Sequence, residues 1–401
     1  MSDPATAIPL APRIGGDPVE PPRRTYAAEV WHRTFATIGA KLGAAWIIVM
    51  VFCAVLAPFL ASSFPLLLKQ NNHWSSPVLH YLNWVDVTLL CITFVGVICL
   101  ILRTSFKLLV LAVLAALAIS APLTIIFINP PATVVYERYR QLAEQGKYQV
   151  VIWAPIPYSP GDHLRDHPEE RLAAPSSKHW MGTEINSADV LSRILFACRI
   201  ALSIGFISTG IAIIIGIVVG GLMGYFAGIP DILGMRLIEI FEAIPTLFLL
   251  ITFVAFFGRN LYIIMVIIGL TSWTGYARFL RAEFLKLRHQ DFVQAAVAAG
   301  LPTRMILFRH MLPNGITPVL ISASFGVASA ILAEATLSFL GLGLIDKPSW
   351  GALLNQATGA AGQFIWWLAV FPGAAIFLTV YAYNLIGESL RDAIDPTLMQ
   401  K

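Results

Sequence analysis

The sequence contains several uninterrupted apolar runs of roughly 20 residues. An α-helix of that length can cross the hydrocarbon layer of a membrane. A soluble domain of this size has a large core, but it cannot hide several such runs. Of the 401 residues, 57% are hydrophobic and only 12% are charged, whereas roughly a quarter are charged in soluble domains. The chain is therefore predicted to be an all-α integral membrane protein.

The apolar runs predict a polytopic helix bundle of about eight spans. They lie at Gly43–Leu60, Val85–Leu102, Leu108–Phe127, Ala201–Phe226, Ile232–Phe257, Leu261–Tyr276, Ile316–Leu340 and Pro372–Ile386. Basic residues cluster before the first span, at 103–107 and at 278–309. Because Lys and Arg concentrate in cytoplasmic segments, these three regions and both termini are predicted to face the cytoplasm.

The spans divide the chain into five predicted parts. Residues 1–40 form a cytoplasmic N-terminal tail, 41–128 contain three spans, and 129–190 form an outer loop or small cap. Residues 191–390 form a core of five helices, and 391–401 form a cytoplasmic tail. The first part is read as a tail and not as a signal peptide, because it lacks an apolar segment followed by a small-residue cleavage site.

Charge and cysteine content exclude other classes of protein. The net charge of +4 comes from basic residues beside apolar segments, and it does not form the extended basic patch of a nucleic-acid-binding protein. The four cysteines fall inside or at the edge of apolar runs, where thiols behave as small hydrophobic groups. They form no disulfide framework and no CxxC metal signature.

Prolines and mixed charges in the segment 129–190 exclude a lipid-facing span. Its candidate metal-ligating side chains are Asp162, His163, Asp166, His167 and Glu169. However, Pro168 breaks the helix that would align His163 with His167. We therefore expect an ordinary solvated loop here and no metal site.

A polar break at residues 290–314 separates the sixth and seventh spans. Its alanines, Ala295 and Ala296 among them, favour a helix. Gly300 can adopt the left-handed conformation that ends a helix, Pro302 prevents continuation, and Thr303 can cap a second helix. The segment is thus predicted to form a helix, a tight break and a second helix.

This segment resembles the EAA loop of ABC importer permeases, whose short coupling helix docks into a groove on an ATPase subunit. The matching residues, and so the predicted ATPase-coupling residues, are Gln294, Ala295, Ala296, Gly300, Arg304, His310, Leu312 and Pro313. The family usually has Glu in place of Gln294 and an aliphatic residue in place of His310. His at this position is common in the oligopeptide and dipeptide permease branch.

The resemblance to this branch extends from about His179 to Pro396. It is carried by His179–Arg193, Gly275–Arg278, Ala333–Gly343, Pro348–Gly351 and Phe371–Gly373. Glu184, Ser187 and Ala188 depart from the usual pattern of the first of these motifs. The family, described as binding-protein-dependent transport system inner membrane components, typically has one span before the outer loop, so the resemblance implies an inserted pair within 41–128.

The resemblance implies the type I ABC importer transmembrane fold and the role of a peptide-importer permease in the bacterial inner membrane. Implied partners are a sister permease, two ABC ATPases, an extracytoplasmic solute-binding protein and the lipid bilayer. Peptides, nickel chelates and peptide-like antibiotics all remain candidate cargoes.

The sequence lacks a phosphate-binding G-x-x-x-x-G-K-[ST] motif, an H-E-x-x-H pair and a G-x-S-x-G elbow. We therefore expect no enzyme activity and no cofactor in this chain. The partner ATPases would bind ATP and Mg²⁺.

Glu334 lies in an apolar span, where a carboxylate costs about 2.5–3.5 kcal/mol on insertion scales. With Ser338, it either lines the translocation path or locks helices together. Glu242, one helical turn from Glu239, is a candidate for a gate on the translocation path, for part of the cytoplasmic contact surface, or for an interfacial pair in water. An alternative function is a proton-coupled secondary transporter that uses Glu334, although such folds usually show inverted repeats and none is visible. A membrane-anchored assembly protein is a third reading, and it explains the EAA-like segment poorly.

Overall fold

The structure is a computed structural model, and it describes residues 26–128, 131, 134–344, 347–359 and 363–394. In these ranges the α-helices are α1 (Tyr26–Thr34), α2 (Ile38–Leu60), α3 (Pro77–His80), α4 (Trp84–Ile101), α5 (Phe106–Phe127), α6 (Glu137–Glu144), α7 (Val190–Phe226), α8 (Gly228–Ala243), α9 (Thr246–Phe257), α10 (Leu261–Leu287), α11 (Asp291–Ala298), α12 (Thr303–Met305), α13 (Leu312–Gly315), α14 (Thr317–Phe339), α15 (Trp350–Gly359) and α16 (Trp366–Ile394). The strands are β1 (Leu67–Gln70), β2 (His73–Ser75) and β3 (Val150–Ile152). A 3₁₀ turn spans Pro168–Glu170, and a π-helix spans Ile306–Met311.

Among the described residues, 7 helices are long and apolar enough to cross a membrane: α2, α4, α5, α7, α10, α14 and α16. The pair α8 and α9 makes an eighth span if it is counted as one. The prediction of an all-α, polytopic membrane protein with about eight spans is confirmed.

The fifth predicted span, Ile232–Phe257, is wrong as a continuous helix. It is divided into α8 and α9, which are bent by 80° relative to each other. The break falls at Ile244, which is extended with φ −91° and ψ 121°. Pro245 causes it, because proline lacks an N–H donor and disfavours helical geometry in the residue before it.

Helix α7 is longer than its predicted apolar core, Ala201–Phe226. It contains 37 residues and starts after Asp189, whose side chain accepts a hydrogen bond from the Ser192 N–H at 2.8 Å. At 1.5 Å per residue its length is about 55 Å, well beyond a hydrocarbon layer of about 30 Å. The helix therefore projects out of the membrane and connects the bundle to the outer segment.

Glycines on α7 allow the close packing of α7 against α10. A Cβ on Gly216 would lie 2.5 Å from Tyr276 Cβ, and one on Gly224 would lie 2.5 Å from Phe284 Cβ. A Cβ on Gly220, between them, would overlap the backbone of Ala277. Small residues at four-residue spacing let membrane helices approach closely, because packing and not water exclusion drives their association.

Residues 61–82 and 134–189, which we call the cap, form an ordered unit around an antiparallel sheet of strand order β2-β1-β3. The expectation of an ordinary solvated loop is wrong for Asp162, which is fully buried. Its carboxylate accepts hydrogen bonds from Ser63 Oγ at 2.5 Å and Arg140 Nη1 at 2.5 Å. A buried carboxylate requires such partners, and Arg140 provides a second bond to Asp166 at 3.0 Å.

The bundle has two distinct sides. The start of α7 packs against the cap through Leu191 and Leu195, and we call this the cap side. Near the opposite end of α7, Gly224 packs against Phe284 close to the end of α10. This end carries residues 288–316, and we call it the basic side.

Both described ends of the chain lie on the basic side. Thr37 Oγ1 and Ser389 Oγ are 2.8 Å apart and share a hydrogen bond. The predicted N-terminal tail, 1–40, contains the helix α1 and the start of α2, while residues 1–25 and 395–401 lie outside the described residues.

The hairpin of α4 and α5 lies at the periphery of the bundle. In its two apolar windows only 11% and 6% of residues are buried. On the cap side the start of α4 contacts the end of α5, because Thr88 Oγ1 and Thr124 Oγ1 are 2.8 Å apart. An ion pair between Asp86 of α4 and Arg199 of α7 fixes the hairpin to the core, and Arg199 also donates to the Val55 carbonyl at 3.4 Å.

Candidate coupling segment and transport path

The predicted helix and break at 290–314 are present as α11 and a Schellman motif. Gly300 has φ +71°, the left-handed region that glycine adopts without a steric penalty. Its N–H donates to the Val297 carbonyl at 2.9 Å, and the N–H of Leu301 donates to the Ala296 carbonyl at 3.2 Å. These two bonds satisfy carbonyls at the end of α11, so Gly300 determines where the helix ends and the chain reverses.

Thr303 does not cap the second helix, in contrast to the sequence prediction. The N-cap is Pro302, and no side-chain capping bond is present there. The Pro302 carbonyl instead accepts hydrogen bonds from the N–H groups of Met305 at 2.8 Å and Ile306 at 3.2 Å. Proline is compatible with this position because an N-cap residue needs a carbonyl acceptor but no N–H donor.

One face of α11 is anchored in the bundle. Val293 and Ala296, three residues apart on the helix, are buried in the apolar cluster that contains Ile306 and Met311. Gln294, in the position where the family usually has Glu, donates from Nε2 to the Arg288 carbonyl at 2.7 Å. This bond connects α11 to the end of α10.

The other face of α11 is exposed on the basic side and is largely apolar. Phe292 and Val297 are 42% and 47% exposed, and Ala295 is also exposed. Arg304 is exposed on the next helical turn. Small and apolar side chains on a surface outside the membrane are typical of a protein docking site.

His310, Leu312 and Pro313 connect α11 to the seventh predicted span. His310 lies in the π-helix, and its carbonyl accepts a hydrogen bond from Asn314 Nδ2 at 2.7 Å. Leu312 packs against the same apolar cluster as α11, and Pro313 lies in the first turn of α13. A π-helix is often found at functional positions. The predicted coupling residues therefore form one continuous unit between α10 and α14.

Glu334 is buried near the cap-side end of α14. Its Oε1 accepts hydrogen bonds from Ser338 Oγ at 2.6 Å and Ser349 Oγ at 2.8 Å. Ser349 immediately precedes α15, which packs so closely on α14 that a Cβ on Gly351 would overlap the Ala335 carbonyl. This geometry favours the role of Glu334 and Ser338 in locking helices together over a role in lining the translocation path.

Glu242 and Glu239 do not act together. Glu242 forms an ion pair with Arg278 of α10, and Glu239 pairs with Arg236 on its own helix at 2.5 Å. All four side chains are at least 38% exposed. A further pair that sequence patterns did not reveal joins α8 to α10, where Arg281 Nη2 donates to Asp231 Oδ2 at 2.7 Å.

The motif that begins at His179 forms the joint between the cap and α7. Glu184 is fully buried and accepts hydrogen bonds from Arg193 at 2.9 Å and from Gln356 at 2.7 Å. Glu184 departs from the usual family residue, yet it has two partners here. It therefore ties the start of α7 to α15.

The His179 ring bridges two carboxylates, Asp189 at 2.8 Å from Nδ1 and Glu170 at 2.9 Å from Nε2. Burial acts to lower the pKa of His179, but these hydrogen bonds outweigh it and raise the pKa above 6.5. The ligand atoms of Glu170, His167 and Glu169 lie within 4.8 Å of one another. However, Glu170 already pairs with Lys178 and His179, so its carboxylate has a structural role.

Residues 212–400 match the family model of the binding-protein-dependent transport system inner membrane component. The dipeptide transport system permease protein DppC of Alkalihalophilus pseudofirmus is 36% identical over 253 residues, which are 62% of this chain and 82% of that protein. The oligopeptide transport system permease protein OppC of Haemophilus influenzae is 40% identical over 228 residues, 56% of this chain and 73% of that protein. Among solved structures, a chain of the MetNI methionine ABC transporter in an inward-facing form matches with a TM-score of 0.43 and 16% identity, covering 51% of this chain and 97% of that one.

The matches to the family model and to the two permeases confirm the family resemblance derived from the motifs and the prediction of a multi-pass transport subunit, and membership of this family carries the type I importer fold. They favour this function over the proton-coupled carrier. The aligned region covers more than two thirds of the dipeptide permease. The chain therefore belongs to the family of binding-protein-dependent transport system inner membrane components.

Proposed function

We propose that this chain is the permease subunit of an ATP-driven importer of peptides in the bacterial inner membrane. The observation that carries this proposal is the apolar, exposed face of α11, which is fixed to α10 and α14 on the basic side. Two similar proteins transport dipeptides and oligopeptides, as their names state. Peptides are therefore the cargo best supported.

The proposed partners are two ABC ATPases at the basic side, a sister permease in the membrane and a solute-binding protein at the cap side. In this arrangement the ATPases bind ATP and Mg²⁺, and this chain performs no chemistry. Closure of the ATPase dimer moves α11, and the rigid connections of α11 transmit that movement to α10 and α14. An alternation between two packings of the bundle then opens the path to each side in turn.

The test is peptide uptake into proteoliposomes that contain the complete transporter with its ATPases and binding protein. We expect uptake that requires ATP on the side of the membrane that carries the ATPases and that vanadate inhibits. The control is a proton gradient imposed without ATP, which should drive no uptake. Uptake driven by the gradient alone would contradict the proposal and support a proton-coupled carrier.

A further inference from the structure

A cavity of about 200 Å³ lies among α7, α10 and α14. A single water molecule needs roughly 10–15 Å³ of such space, so the cavity can hold a larger polar group. Its lining includes the hydroxyl-bearing residues Ser208, Thr209, Ser272, Tyr276, Ser322 and Ser329. No charged side chain is among the described residues that line it. We call this space the hydroxyl cavity.

Two of these hydroxyl groups are buried without a partner. Ser208 and Thr209 are 1% and 5% exposed, and neither side-chain oxygen has a hydrogen-bond partner among the described residues. A serine or threonine within a helix can bond to the carbonyl four residues earlier. Ser329 and Thr336 of α14 do so, at 3.0 and 2.8 Å. Because an unpaired buried hydroxyl is costly, rotation of either side chain toward the cavity would gain a hydrogen bond from a polar occupant.

Glycines shape the hydroxyl cavity. A Cβ on Gly326 would overlap the Tyr276 hydroxyl, so only glycine on α14 leaves space for the phenol. A Cβ on Gly275 would meet no atom within 4 Å, which places Gly275 at an open part of the lining. Ser272 and Ser329 are exposed, so the cavity opens on the surface of the bundle between α10 and α14.

The chemistry of the lining defines the occupant. A hydroxyl both donates and accepts hydrogen bonds, and a peptide main chain offers an N–H donor and a C=O acceptor at almost every residue. Since no lining charge selects for or against a charged side chain, such contacts are independent of peptide sequence. A surface of this kind suits peptides of varied sequence.

We propose that the hydroxyl cavity is the part of the translocation path in this subunit that binds the main-chain amide groups of a transported peptide. This assignment rests on the proposed function, because it takes the cargo to be a peptide. Ser208 and Thr209 would supply the deepest hydrogen bonds, and Ser272 and Ser329 would meet the peptide at the opening.

The first test measures ATP-dependent uptake of an alanine tripeptide by the complete transporter in proteoliposomes. The double variant Ser208→Ala with Thr209→Val removes both hydroxyls and nearly preserves side-chain shape, and we expect uptake to fall about three- to tenfold. Gly275→Leu should fill the opening and abolish uptake, and the Cβ that it adds meets no atom within 4 Å. The matched controls, Thr336→Val and Gly96→Leu, change the same residue types outside the cavity and should retain wild-type uptake.

The second test measures access to the cavity directly. In Ser272→Cys, a membrane-impermeant methanethiosulfonate reagent should modify the new thiol, and bound tripeptide should slow this modification. Failure of wild-type transporter to take up any peptide with ATP would contradict the proposed function. Wild-type uptake together with full activity of the double variant and of Gly275→Leu would overturn the cavity assignment alone. A thiol at 272 that stays unmodified in every nucleotide state would overturn it too, since the cavity would then be closed by another subunit.

Discussion

Three of the buried carboxylates described above connect different segments of the fold. Asp162 pairs with Arg140, Glu184 with Arg193 and Gln356, and Glu334 with Ser349. Burial of an ionisable group is tolerated only with such partners. These side chains therefore join segments, and their removal should affect assembly more than cargo binding.

The first residue-scale prediction concerns Glu334. Glu334→Gln keeps an oxygen acceptor for Ser338 and Ser349, so we expect nearly wild-type stability and uptake. Glu334→Leu leaves both buried hydroxyls without their acceptor and should reduce the free energy of unfolding by about 1–3 kcal/mol. Thermal unfolding of the purified complex measures this difference. If Glu334→Gln folded normally but transported nothing, the carboxylate would have a role in transport that the locking interpretation lacks.

The second residue-scale prediction concerns pH. Because the pKa of His179 is raised above 6.5 in the fold, its stabilising contribution is complete below 6.5 and is lost as pH rises through the higher folded value. Hydrogen bonds hold the pKa of Glu170 below 4.5 despite burial, so its contribution persists down to mildly acidic pH. The joint between the cap and α7 should therefore be most stable in weakly acidic solution.

Hydrogen exchange of the backbone at 168–190, corrected for intrinsic rates, checks this pH dependence. Protection should decrease above neutral pH in the wild type, and His179→Gln should show lower protection with a flat pH profile. His73→Gln changes an exposed histidine on β2 and serves as the control. An unchanged profile in His179→Gln would show that another group controls the joint.

At the scale of elements, α11 depends on the glycine that ends it. Gly300 has a positive φ, which asparagine tolerates and a β-branched residue does not. We expect Gly300→Val to distort the end of α11 and to uncouple ATP hydrolysis from peptide uptake. The variant should still insert into the membrane. Gly300→Asn should retain most of the coupling. The ratio of peptide transported to ATP hydrolysed measures the effect, and an equal ratio in both variants would argue against a docking role for α11.

Local patterns predicted the elements well, because their causes are close in sequence. The apolar runs revealed the membrane helices, and the alanines with Gly300 and Pro302 revealed α11 and its end. Pro245 was a signal for the bend between α8 and α9, but the length of the apolar run concealed it. Sequence resemblance correctly identified the family.

Long-range arrangements were beyond sequence reasoning. Strand β1 pairs with β3 across two membrane helices. Arg199 and Asp86 are 113 residues apart, and the serines of the hydroxyl cavity come from three helices. No local pattern distinguishes these serines from others in apolar helices, because their role depends on how the three helices meet.

At the scale of the whole molecule, the hairpin of α4 and α5 is a peripheral addition whose ends lie side by side. We predict that residues 84–127 can be replaced by a short Gly-Ser linker when Arg199→Met is introduced as well. The same excision with Arg199 retained should be less stable by about 3–5 kcal/mol, because it leaves a buried charge without its partner.

Size-exclusion chromatography and thermal unfolding of the transporter complex compare the two excised forms. A reporter at the C-terminus should remain on the basic side, since removal of two spans preserves the orientation of those that follow. Failure of the excised form that carries Arg199→Met to assemble would show that the hairpin supports the bundle.

The pairing of Asp86 with Arg199 also has a consequence for biosynthesis. The ribosome makes α4 before α7, so the carboxylate is already within the nascent protein when the guanidinium emerges. A positive charge that enters a bilayer alone is costly, and pairing with a counter-ion that is already in place reduces this cost. We therefore expect the early hairpin to assist insertion of the later helix, so that the order of translation contributes to assembly of the subunit.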